Sequence, residues 1–142
     1  MSVPEAAQVD ALRLAVVRLE RKLRKSAGSA AVTPSQYSAL FSLDRHGPFR
    51  LGELARREQI GKSTVTRLVA GLLAKGLVER HVDDLDARSS IIAIAPAGRK
   101  LLHDIAEGSN DYLRGRLEGL APDDLARLLD ALGALEQLGE RP

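Results

Sequence analysis

No cysteine occurs in these 142 residues. Disulfides, thiol redox sensing and thiolate metal ligation are therefore closed to the chain. Histidine is scarce too. His46, His81 and His103 are scattered without ligand spacing, so surface or satisfied polar positions are expected and a metal site is not. Aromatic residues make up only 3%, so any ligand pocket should be aliphatic in character. No apolar run approaches the ~18 residues of a membrane span. The N-terminus lacks a signal peptide's basic start, apolar middle and cleavage site. A cytoplasmic protein without membrane contact is expected. No nucleophile–base pair, metal cluster or phosphate loop is recognisable, and the glycines around Gly71 and Gly76 match no nucleotide fingerprint. Neither an enzyme nor a cofactor is expected.

What is present suits one soluble domain: 44% apolar and 28% charged residues over a length that can bury a workable core. The net charge of +2 is unevenly placed. Residues 45–100 hold 11 Lys and Arg against 6 Asp and Glu, whereas residues 101–142 hold 4 against 9. A polyanion would be met by the first of these regions. An ordinary solvated face is the plainer alternative.

Residues 51–88 carry most of the information. Leu51, Leu54 and Ala55 share one face of a short helix. Glu58-Gln59 breaks it, and Ile60 follows as an apolar plug. A second helix is expected from Lys62 to Lys75, with Val65, Leu68, Val69, Leu72 and Leu73 on its inner face. Ser63, Arg67, Ala70, Gly71 and Ala74 then point outward, with Thr64 and Thr66 at the margins. Small hydroxyls and an arginine on an outward face fit a DNA major groove. Lys62 is placed for phosphate. Gly76 ends the helix. Leu77–Val82 and Ser90–Ile94 have the β-branched content of strands, and the polar run from Asp83 to Arg88 makes a hairpin tip. The expected fold is mainly α with a small β-hairpin wing, a winged helix-turn-helix.

Around this lobe (34–95) lie helical segments (1–30 and 96–142). The first helix should run from Pro4 to Ser26 with Leu12, Val16, Leu19 and Leu23 as its stripe, ended by Gly28-Ser29. Thr33-Pro34-Ser35-Gln36 forms a capping box for the next helix, which ends near His46-Gly47-Pro48. Pro96 opens a long helix and Pro122 a last one, whose leucines from Leu125 to Leu138 recur as in a helix–helix seam. Ala95 and Ala121 stand where a capping hydroxyl is usual. The excess of leucine points to a homodimer built by the terminal helices. Packing of those helices against one another is the alternative.

The chain resembles the multiple-antibiotic-resistance regulator (MarR) family. The likeness rests on Ser63-Thr64-Val65-Thr66-Arg67-Leu68-Val69, on Lys75-Gly76-Leu77-Val78-Glu79-Arg80, on Asp86-Ala87-Arg88, and on Gly98 with Leu101-Leu102. It implies a homodimeric repressor bound to double-stranded DNA at a pseudo-palindromic operator, and release by a small-molecule effector. By resemblance, Ser63, Thr64, Thr66 and Arg67 would read bases. Arg88 would enter the minor groove, held by Asp86. Ala87 replaces a frequent second arginine, and Asp83 and Asp84 add negative charge that opposes the wing's approach to phosphate.

Each assignment has a plainer counterpart. Arg67 can be a solvated helix residue, Arg88 a local partner of Asp86, and Arg80 either a cross-hairpin pair or a phosphate contact. Tyr37, Phe41, His46 and His103 line a ligand crevice or are core and surface. The competing function is a winged-helix adaptor that binds protein. Such a face should be apolar or acidic, which Ser63, Thr66 and Arg67 are not.

Overall fold

The structure is a computed structural model and describes residues 2–26 and 31–140. The expected Gly28-Ser29 stop lies outside them. In chain order the elements are α1 (Ala6–Ser26), α2 (Pro34–His46), β1 (Phe49–Arg50), α3 (Leu51–Glu58), α4 (Lys62–Ala74), β2 (Val78–Val82), β3 (Ser90–Ile94), α5 (Pro96–Glu118), α6 (Pro122–Asp130) and α7 (Leu132–Glu140). Among the described residues no helix is long and apolar enough to cross a membrane.

α2 starts as its capping box dictates. Thr33 Oγ1 accepts the Gln36 N–H at 3.2 Å and Gln36 Oε1 accepts the Thr33 N–H at 3.0 Å. The break after α3 spans Gln59 to Gly61 and turns at a single residue. Gln59 takes a left-handed conformation (φ 55°), and Ile60 donates its N–H back to Ala55 O at 3.0 Å. α4 buries Val65, Val69 and Leu72 and half-buries Leu68 and Leu73, the face its spacing predicts. Gly76 ends it at φ +70°, where a side chain would be strained. Ala95 and Ala121 are indeed helix caps without a side-chain bond.

The core lies under the wing. Leu40, Leu54, Val65, Val69, Leu72 and Ile92 are fully buried, contributed by α2, α3, α4 and β3. α5 is drawn close at its first turn: a Cβ on Gly98 would sit 2.3 Å from Leu77 O and 2.9 Å from Ile94 Cγ1.

The expected β2–β3 hairpin is present, and a short third strand extends it to an antiparallel sheet in the order β1-β3-β2. Phe49 pairs with Ile92 and Arg50 with Ile91, and a strand of two residues is too short to show alternation. Two other expectations need correction. The last helix is interrupted at Ala131, where no proline or capping residue signals a stop. Gly71 is not outward: a Cβ there would lie 2.9 Å from Gln36 Nε2, so it turns toward α2.

Candidate nucleic-acid interface

α4 begins at Gly61 with no side-chain cap, so the first N–H groups of the helix face outward beside the exposed Lys62, Ser63 and Thr64. Unpaired amides and the positive end of the helix dipole favour an anion there. Thr66 and Arg67 are also exposed. Thr66 donates its hydroxyl to Lys62 O at 2.8 Å. Its oxygen is left chiefly as an acceptor. Lys62, Ser63, Thr64 and Arg67 thus supply the side-chain donors of this face.

Next to α4 a groove of about 660 Å³ runs between α3 and the wing. Arg50, Arg56, Arg80 and Arg88 line it, together with Thr66, Ser89 and Ser90. Arg80 stands opposite Ile92 in the β2–β3 register, so no acid faces it across the hairpin. Arg88 is 94% exposed at the wing. Asp86 Oδ1 accepts both its N–H, at 3.0 Å, and its Nε, at 3.4 Å. The local pair and the outward reach therefore coexist. Arg50 and Arg56 were missed by sequence reasoning, because their meeting with the wing depends on β1 joining the sheet.

Asp83 also departs from expectation. Its side chain is only 4% exposed. Oδ2 accepts Arg50 Nε at 2.7 Å and Oδ1 accepts the Leu85 N–H at 3.0 Å. The Leu85 amide, with Arg50, holds this carboxyl below the usual carboxylate range, and Asp83 raises the Arg50 guanidinium in turn. It is a paired acid inside the wing base, not a charge turned toward phosphate. Asp84 is the exposed one.

A second cavity, of about 490 Å³, opens between α1, α2 and α5. Leu23, Val32, Pro34, Tyr37 and Ile105 give it a mainly aliphatic wall, with Glu20, Arg24 and Ser109 at its edge. Of the four residues expected in a ligand crevice, only Tyr37 lines it. Phe41 is exposed, stacked on Tyr37 with ring centroids 6.4 Å apart and covered by Arg45 at 5.2 Å. His46 is exposed at the end of α2, and His103 is exposed beside Glu107 at 3.1 Å. Both histidines lie on outer helix faces, a direction that stripe spacing alone did not resolve.

The C-terminal end of α4 is hydrogen-bonded to the chain beside this cavity. Lys75, which caps α4, donates Nζ to Ala31 O at 2.7 Å and to Gln36 Oε1 at 2.9 Å. Ala31 adjoins, and Gln36 lies two residues beyond, the cavity wall of Val32, Thr33 and Pro34.

The sequence profile of the MarR family matches residues 32–90. An HTH-type transcriptional regulator of Mycobacterium leprae is 33% identical over 132 residues, 92% of each chain. The crystal structure of a transcriptional regulator from Thermotoga maritima superposes with a TM-score of 0.80 at 28% identity over 96% of each chain. A mutant of MepR from Staphylococcus aureus, solved bound to an oligodeoxyribonucleotide, shares the fold with a TM-score of 0.71 at 19% identity, over 93% of this chain and 97% of its own.

Proposed function

The chain belongs to the MarR family and is a DNA-binding transcriptional regulator, not an enzyme; on that premise we propose that it acts as a homodimeric repressor on a pseudo-palindromic operator. The observation that carries this reading is the continuity of two surfaces. The exposed Ser63, Thr64, Thr66 and Arg67 face of α4 meets, at Thr66, a groove walled by Arg50, Arg56, Arg80 and Arg88. The first is suited to base edges and the second to phosphates. Arg88, buttressed by Asp86, reaches the minor groove alongside. The MepR mutant's oligodeoxyribonucleotide complex is consistent with this use of the fold.

A second copy of the chain supplies the symmetry. Leu12, Val16 and Leu19 of α1 and Leu129, Leu132 and Leu138 of α6 and α7 are exposed on this protomer. Covering them in a two-fold assembly leaves two copies of α4 free for successive major grooves, about one helical turn apart. A dimer seated on a promoter excludes other proteins from it, which is repression by occupancy.

Release by a small ligand completes the proposal. The aliphatic cavity beside Tyr37 is the place for it, and the Lys75 tether to Gln36 is the route to α4. A tenfold loss of DNA affinity requires about 1.4 kcal/mol of coupling between the two sites. The experiment is selection of duplexes from a random pool by the intact protein, then titration of the winner against salt. Each phosphate contact should contribute about −0.9 to the log–log slope. Failure to enrich any duplex, or a flat slope, overturns the DNA-reading function.

A further inference from the structure

We propose that Asp83 is a positioning residue that strengthens binding to DNA, against the sign of its own charge. The proposal rests on the groove being the DNA interface. Among the described residues Asp83 is the buried charged side chain of the molecule. It joins three segments. Its carboxylate takes Arg50 Nε, at the residue that precedes α3, and the Leu85 N–H, at the wing tip. Its own N–H donates to Ser89 O at 3.1 Å, on the returning side of the wing. Ser89 in turn donates its N–H to Asp86 O at 2.9 Å, the residue that holds Arg88.

Arg50 gains most from this arrangement. With Nε committed to Asp83, the planar guanidinium is fixed, and its two terminal nitrogens remain for a phosphate. The side chain is about half exposed (48%) and lines the groove with Arg56, Arg80 and Arg88. The Arg50 backbone is pinned as well, since Glu53 Oε1 accepts its N–H at 3.1 Å. The negative charge of Asp83 is met locally by Arg50 and the Leu85 N–H, and burial keeps the carboxylate out of direct contact with a ligand. Asp84, its neighbour, is exposed and carries no such link. Simple electrostatics makes both acids unfavourable to DNA. The geometry separates them.

The test compares Asp83→Asn, Asp84→Asn, Arg50→Ala, Arg50→Lys and the double variant Arg50→Ala/Asp83→Asn. Each is titrated by fluorescence anisotropy against the duplex that the unaltered protein selects from a random pool. Should no duplex be selected, the DNA-reading function itself fails, a result distinct from any failure of Asp83. Asp83→Asn should weaken binding by about fivefold or more, the scale for breaking one partner of a charged hydrogen bond. Asp84→Asn should tighten it. The double variant should bind no worse than Arg50→Ala alone, because the effect of Asp83 runs through Arg50. Arg50→Lys keeps the charge but cannot hold Asp83 and a phosphate in one rigid fork, so it too should lose affinity. That variant also carries the test if Asp83→Asn does not fold, as judged by its melting transition. Asp83→Asn binding as tightly as Asp84→Asn, or Arg50→Lys binding like the unaltered protein, overturns the proposal.

Discussion

Leu40, Leu54, Val65, Val69, Leu72 and Ile92 are fully buried, and every one belongs to the winged-helix lobe. α1, α6 and α7 bury no residue at all. The two regions spend similar apolar side chains in different ways. The lobe closes its core within one chain: α4 lies over α2 and the sheet, and Gly98 lets α5 press on Leu77. α1, α6 and α7 keep most of their leucines exposed, among them Leu12, Leu19, Leu129, Leu132 and Leu138. α1 meets the rest of the protomer chiefly along α5, where Ser109 Oγ donates to Leu23 O at 3.2 Å. A shape held by its own core can present a fixed reading face. Helices that lack internal cover are suited to being completed by a partner, and therefore to setting the distance between two reading faces.

Charging the outer face of the terminal helices should have the largest effect. Leu129→Asp with Leu132→Asp should leave the far-ultraviolet circular dichroism of the lobe intact while light scattering falls to the 15.3 kDa protomer. Operator affinity should drop by about a hundredfold or more, since tethering of the second half-site is lost. An unchanged mass would place the interface elsewhere. Leu72→Ala attacks the other region. It should cost about 2–5 kcal/mol of unfolding free energy in denaturant titration, as a fully buried leucine does. The same truncation at Leu138, which is 68% exposed, should cost the isolated protomer almost nothing.

Smaller effects sharpen the division of labour within the lobe. Arg67→Ala should weaken selected-duplex binding by about 1–3 kcal/mol and narrow the gap to random DNA. Arg88→Ala should matter most where A·T-rich flanks narrow the minor groove. Equal losses on every sequence would reduce both to phosphate contacts. The smallest effect is on acid stability. The Asp83 carboxyl lies below its ordinary range, held by Leu85 and Arg50, so it stabilises the fold above the unfolded carboxylate range. That contribution disappears as pH falls through the folded value. The melting difference between the unaltered protein and Asp83→Asn should therefore shrink on acidification. A difference that stays constant would contradict the pairing.

Much of the lobe was legible because its signals are local. The Thr33–Gln36 capping box, the α4 stripe and the stop at Gly76 are each written within a few neighbouring residues. What escaped depends on distant meetings. Phe49-Arg50 is a strand only because Ile91 and Ile92 lie beside it. Asp83 stands in a polar run that reads as solvated, yet Arg50, far back in sequence, draws it inside. The same meeting brings Arg50 and Arg56 to the groove. The crevice residues were less legible still. Tyr37 faces it, whereas Phe41, one turn along the same stripe, turns to solvent beneath Arg45. Helical spacing gives a face but not which neighbour covers it.

In the proposed assembly two copies of α4 read one side of a duplex at a fixed separation. The direct test takes the selected duplex and moves one half-site by about 5 bp, half a helical turn, leaving both half-sites intact. Binding by the unaltered protein should then fall toward its affinity for random DNA, and recover when the shift is extended to a full turn only as far as the terminal helices can stretch. Equal affinity at both spacings would mean that the protomers read DNA independently, and the paired reading face would be wrong.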